Sequence, residues 1–212
     1  MTLAIPRLDR STAAERGLTI GDFLVPVAIA ERLGTRVRHV ILIALGAGVV
    51  ALSAQIVIPT VPVPFTGQTL GVLLVGGALG MRRGGTALLL YLAVGAIGAP
   101  IYATGDSGID VIGGFTGGYL IGFVVAAMIV GRLAELGWDR RLPGALVAMI
   151  IGTAVIYAIG VPWLKFTAGI PWPVAVSEGM TQFLAWDLAK ATIAAAVFPL
   201  AWWLIGRRPD DR

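Results

Sequence analysis

Two residues of opposite charge, Asp187 and Lys190, stand in an otherwise apolar stretch running from about residue 179 to residue 206. Read as a helix, their i, i+3 spacing puts both on one face. An ionisable side chain at membrane depth costs a few kcal/mol or more, so the pair needs a role. A carboxylate beside an ammonium offers an acceptor and a donor together, which matches a urea or amide group on a ligand. With a helix starting near Met180, the pair lies about 10–15 Å inward at 1.5 Å per residue, in the outer half of a bilayer. Two other readings use the same residues: a self-neutralising pair that only packs, and a proton relay through Asp187.

Three further features belong beside that pair. Residues 58–65 carry Pro59, Pro62 and Pro64 and no charge, and Thr66 and Gln68 follow at once. The helix expected next is short, about 21 Å, so this loop is expected to dip toward the membrane and cap a cavity; irregular backbone is tolerated there when protein or water satisfies it. Residues 100–118 are rich in glycine, and Gly117-Gly118 opens the next helix. A helix N-terminus with accessible N–H groups suits an anion such as a carboxylate, the plainer alternative being a flexible loop. Finally, Ala44, Ala47, Gly48 and Ala51 fall at i, i+3, i+4 and i+7, a small-residue stripe that lets another helix, internal or from a second subunit, approach closely.

Catalysis has little to work with. The chain has no cysteine and one histidine, His39, so thiolate chemistry and histidine metal clusters are excluded. There is no Walker-type G-x-x-x-x-G-K-[ST] and no G-x-S-x-G. We expect no catalytic residue, no metal site and no cofactor.

The elements that must position these residues follow from composition. Of 212 residues, 57% are hydrophobic and 13% charged, about half the charged share of a soluble domain, which rules out a soluble globular enzyme. The charge-free gaps predict six helices, near 38–58, 67–81, 84–99, 117–136, 142–162 and 180–205, each a candidate bilayer span. Fourteen of the sixteen basic residues then fall on one side: Arg7, Arg10, Arg16, Arg32, Arg36 and Arg38 before the first span, Arg82 and Arg83, then Arg132, Arg140 and Arg141, and finally Arg207, Arg208 and Arg212. The positive-inside rule makes that side cytoplasmic. The expectation is an all-α membrane protein, a bundle of six transmembrane helices with both termini cytoplasmic, in the cell inner (plasma) membrane. Its parts are a tail over 1–35 that can lie on the membrane surface, a substrate-binding domain over 36–206 and a short tail over 207–212. Residues 28–30, Ala-Ile-Ala, have the small-residue look of a signal cleavage site. Cleavage there would put Arg36 and Arg38 outside, so a cytoplasmic tail is the better reading. The net charge of +4 is explained by topology, and nucleic acid is not an expected partner.

The motifs resemble one family. Ala-Gln-Ile-x-Ile-Pro at 54–59, Val-Pro-Phe-Thr-Gly-Gln-Thr at 63–69, Gly-Ala-Leu-Gly at 77–80, Tyr91 with Gly-Ala-Pro at 98–100, the run 113–123 with Thr116-Gly117-Gly118-Tyr119-Leu120, and Asp187-x-x-Lys190 occur in that order. Over about 38–205 they resemble BioY, the biotin-specific substrate-binding component of energy-coupling-factor transporters. The chain departs from the family pattern at Phe115, where proline is usual. The resemblance implies a six-helix protein binding biotin from the outer face. It implies as partners a membrane scaffold subunit and two ATP-binding-cassette ATPases, docked through Ala44, Ala47, Gly48 and Ala51. It makes biotin a transported substrate, not a cofactor. Asp187 would accept from a ureido N–H and Lys190 donate to the ureido carbonyl. Phe65, Tyr91 and Tyr119 would wall the rings and tail, and Thr66, Gln68, Thr116 and the backbone at Gly117 and Gly118 would meet the carboxylate. The rival readings are a self-contained, ion-coupled secondary transporter and a membrane assembly protein with no small ligand.

Overall fold

The computed structural model describes residues 17–24 and 27–205, with side chains except those of 24–33. The expectations for Arg7, Arg10, Arg16 and Arg32, for the 28–30 site, and for Arg207, Arg208 and Arg212 lie outside the described residues or side chains. The described chain is mostly helical: α1 (Gly21–Leu24), α2 (Val27–Ala54), α3 (Gln68–Ala96), α4 (Ile109–Gly113), α5 (Gly117–Glu135), α6 (Leu142–Ala168), α7 (Trp172–Gly179) and α8 (Leu184–Ile205). Single 3-10 turns lie at Ala103–Gly105, Trp138–Arg140 and Thr181–Phe183. Among the described residues, four stretches are long and apolar enough to cross a bilayer, 34–54, 117–135, 142–168 and 172–205. This is a multi-pass membrane protein.

Four details differ from the sequence reading. The fold is not purely helical: the proline-rich loop closes as a small antiparallel ribbon, β1 (Val57–Ile58) on β2 (Phe65–Thr66), with Val57 opposite Thr66. The second and third expected helices are not separated by a loop at Arg82 and Arg83. Gly80 breaks α3 at a single residue with φ 82°, a left-handed conformation that glycine adopts without strain. The segments on either side, 68–79 and 81–96, are about 18 and 24 Å long. Glu135 accepts the Met81 N–H at 2.9 Å, which caps the restarted helix. The fifth expected helix runs through Pro162 to Ala168, since one proline removes one ladder bond without ending a helix packed on its neighbours. The last helix starts at Leu184, so Asp187 lies in its first turn.

Helix α3 packs on α2 and α5, α5 on α6, and α6 on α8. The core divides along the bundle. One cluster gathers Val72, Tyr91, Tyr119, Phe123 and Ile156 near the ribbon. The other gathers Leu73, Met149, Phe198 and Trp202. Residues 17–24 join this second cluster, although the sequence reading puts them in a tail. Ile20 is buried in it, and Phe23 meets Trp202 edge-to-face at 5.6 Å.

Candidate binding cavity and the family

Helix α8 begins beside the start of α3, so Asp187 and Lys190 face Thr66 and Thr69. Thr69 Oγ1 donates to Asp187 Oδ1 at 2.9 Å, and Lys190 Nζ donates to the same oxygen at 2.8 Å. The Tyr157 hydroxyl, on α6, donates to Asp187 Oδ2. Lys190 Nζ also donates to the Thr66 carbonyl at 2.6 Å and to Thr69 Oγ1 at 3.2 Å. The lysine therefore spends all three protons within the protein, and one of them fastens β2 to α8. Asp187 is buried, 5% exposed. At the first turn of α8 its negative charge is also favoured by the helix dipole. Of its four lone-pair sites, both on Oδ1 and one on Oδ2 are taken, which leaves one on Oδ2 free to accept.

Over this cluster opens a cavity of about 290 Å³, at the small end of ligand pockets. Its wall includes the ribbon and its prolines, the 102–106 loop, Thr116 at the start of α5, Tyr119, Phe123, Ile156, Tyr157 and Phe183. Its lining is mixed, apolar and aromatic side chains with a single paired charge cluster, the usual make-up of a small-molecule site.

The structure brings six of the ten expected binding residues to this wall: Asp187, Lys190, Thr66, Gln68, Thr116 and Tyr119. The other four stand behind it. Phe65 stacks on Phe183, with ring centroids 4.2 Å apart, and so braces a lining ring. Tyr91 is fully buried; it accepts from Gln68 Nε2 at 2.8 Å and donates to the Ile101 carbonyl, so it sets the Gln68 side chain and not the cavity wall. Gly117 and Gly118 are close-approach positions. A Cβ on Gly117 would strike the Ile112 carbonyl, and one on Gly118 would strike the Trp163 side chain. Thr66 and Gln68 also differ from their expected task. The Thr66 hydroxyl donates to Gln68 Oε1 at 3.0 Å, beside Lys190, so both belong to the Asp187 end of the cavity. Tyr119 donates its hydroxyl to the Gly179 carbonyl at 2.7 Å, pinning α7 across the top.

Sequence reasoning passed over Thr69, Tyr157, Phe123 and Phe183. Thr69 was visible within the 63–69 motif. Tyr157 had no local signal, since only the packing of α6 on α8 brings it to Asp187.

The stripe on α2 is divided by the fold. Ala47 is buried against the core, Ala51 is half-buried, Ala44 is exposed, and Gly48 has open space where a Cβ would lie. One face of this helix also exposes Val40, Leu45, Val49 and Leu52.

A family model described as the BioY family matches residues 27–207. This chain belongs to the BioY family. The biotin transporter BioY2 of Lactococcus lactis subsp. cremoris is 38% identical over 167 residues, which cover 79% of this chain and 91% of that protein. The biotin transporter BioY of Thermotoga maritima is 36% identical over 160 residues, 76% of this chain and 93% of that one. A crystal structure of the S-component for biotin from an ECF-type ABC transporter shares the fold, with a TM-score of 0.72 at 24% identity over 79% of this chain and 92% of that one. BioY relatives are named as transporters, and this member is not an enzyme.

Proposed function

We propose that this BioY-family chain is the biotin-binding component of an uptake transporter, capturing biotin at the outer face of the cell membrane. The observation that carries the reading is the pair of buried Asp187 and half-buried Lys190 beneath a 290 Å³ cavity, with one lone-pair site left on Asp187 Oδ2. A ureido ring has two N–H donors and one carbonyl. One N–H meets the free site on Oδ2, and the ureido carbonyl takes a proton from Lys190 in exchange for the Thr66 carbonyl. The Tyr157 oxygen, which donates to Asp187, keeps acceptor capacity for the second N–H. Phe123, Ile156 and Phe183 wall the rings. The names of the relatives supply the substrate, and the cavity supplies groups that suit it.

In this reading the bundle has six transmembrane helices, with the short segments of α3 on either side of Gly80 counted as two, and both termini are cytoplasmic. Support comes from Arg38, Arg83 and Arg140, which gather on residues 18–22 at the end away from the cavity, as the positive-inside rule requires. Delivery inward is driven by a scaffold subunit and two ATPases. Ala44 and Gly48 offer the open part of the α2 stripe for that docking, while Ala47 faces the core.

The test is retention of labelled biotin by the purified protein in detergent. Stoichiometric, saturable binding is expected, and a folded protein that retains none would end the proposal. Co-purification of an Ala44→Trp variant with a scaffold and its ATPases tests the docking face: intact assembly would remove it.

A further inference from the structure

The cavity is built with one kind of charge in excess. Among the described residues lining it, Lys190 is the sole cation, while Asp187 and Asp106 are both acidic. All three Lys190 protons are committed to Asp187, Thr69 and the Thr66 carbonyl. Most hydroxyls nearby are occupied as well: Thr60 donates to the Val63 carbonyl at 2.7 Å, Thr66 to Gln68 Oε1 and Tyr119 to the Gly179 carbonyl, and Thr116 adds one uncharged hydroxyl to the wall. Toward the mouth, Asp106 is exposed and its Oδ2 accepts from Thr104. A ligand with its polar head on Asp187 therefore extends an anionic tail toward a carboxylate, with no arginine or lysine to receive it.

We propose that the cavity recognises the uncharged ureido head of its ligand and leaves the carboxylate unread, so that esters and amides of biotin bind as well as biotin does. This rests on the biotin reading above. It makes the substrate class wider than the free vitamin and includes biotin carried on an amine through an amide bond. The charge asymmetry adds a sign: the free acid feels Asp106, and its neutral derivatives do not.

Displacement of labelled biotin from the purified protein tests this directly, with biotin, biotin methyl ester and biotinamide as competitors. The neutral derivatives are expected to match biotin or exceed it by up to about fivefold, the scale of one solvent-exposed charge interaction. A loss of about thirtyfold or more on esterification, the scale of a hydrogen bond to a charged group, would show a dedicated carboxylate site and overturn the inference. Asp106→Asn is expected to improve biotin more than its methyl ester; an equal effect on both would remove Asp106 from the account. Added salt should favour the free acid relative to the ester, since it screens repulsion between exposed charges. If the folded protein retains no labelled biotin, the parent reading fails. If it retains biotin and rejects the ester, this inference alone fails.

Discussion

The two ends of the bundle use the same chemistry for different ends. At the cavity end a carboxylate, Asp187, is held by an ammonium and two hydroxyls. At the other end Asp22 is held by Arg83 at 2.8 and 3.1 Å, by the Thr19 N–H and hydroxyl, and lies beside Arg38. A second network lies next to it: Trp202 Nε1 donates to Asp139 at 2.7 Å, and the Arg140 guanidinium lies 3.4 Å over the Trp202 ring and donates to the Leu18 carbonyl. Both ends bury charge in an apolar protein, but the end away from the cavity leaves Arg38 Nε, Asp139 Oδ1 and Arg140 Nε buried without a hydrogen-bond partner. The cavity end uses lysine, a compact point charge whose three protons can be redistributed. The other end uses arginines, whose planar fork fixes one geometry. At the cavity end open space remains beside the carboxylate. At the other end Ile20, Phe23, Phe198 and Trp202 pack around the network. A buried charge pair does not make a binding site; a pair with spare acceptor capacity and adjoining space does.

The largest effect expected from breaking this contrast is at Asp187. Asp187→Asn keeps the shape, strands Lys190 and points an amide donor at Thr69 or Tyr157. Breaking a buried pair costs about 3–5 kcal/mol, so labelled biotin retention should fall by more than about a hundredfold. Retention at the parental level would show that the cavity end is as purely structural as the other. Arg83→Gln is its counterpart. It removes two bonds to a carboxylate, one to Thr19 Oγ1 and one to the Leu79 carbonyl, and hydrogen bonds to charged groups contribute about 1.5–3 kcal/mol. The melting temperature in detergent should drop while biotin affinity of the folded protein stays put. A selective loss of affinity would mean that the two ends are coupled.

Smaller effects sharpen the comparison. Burial pushes the Asp139 carboxyl up to about 6, against the charge of Arg140 and the Trp202 hydrogen bond. A raised carboxyl stabilises the fold in its protonated form, fully below the ordinary value of 3.8, and that contribution is lost as pH rises through about 6. Asp22 has the opposite sign. Burial raises it, but Arg83, the Thr19 N–H and Arg38 outweigh burial and hold it below 3.8, so its contribution is lost only in stronger acid. From about pH 7 to about pH 5 the melting temperature should therefore rise, by an amount equivalent to about 1 kcal/mol. Asp139→Asn should flatten that slope; an unchanged slope would assign it elsewhere. Tyr157→Phe removes one donor from Asp187 and leaves Thr69 and Lys190 in place. A loss of about fivefold in biotin affinity is expected, the scale of one ordinary hydrogen bond. A loss as large as that of Asp187→Asn would make Tyr157 a ligand contact of equal rank.

What the sequence determined by itself is what can be read locally. Hydropathy depends on composition over some twenty residues, so the apolar stretches, the alternation of arginines and the isolated Asp187–Lys190 pair are visible without a fold. The i, i+3 spacing puts that pair on one face of any helix, and the proline-rich run before Thr66 is legible as irregular backbone. Tertiary structure decided what depends on distant partners. Thr69 and Tyr157 reach Asp187 across 118 and 30 residues; Thr69 stands in the 63–69 motif, but nothing local pairs it with Asp187, and no local pattern marks Tyr157. Tyr91 and Phe65 are aromatic residues of the expected type, yet packing turned one toward Gln68 and the other onto Phe183. The break at Gly80 required a positive φ that many glycines in this chain could have supplied, and the close approach of Gly131 to the Gly80 and Met81 backbone selected this one. Residues 17–24 read as part of a tail because their apolar members, Leu18, Ile20, Phe23 and Leu24, form a stretch too short to span a bilayer and interrupted by Asp22. They fold onto the bundle because Asp22 finds Arg83 there, a pairing between segments 61 residues apart that charge counting cannot see.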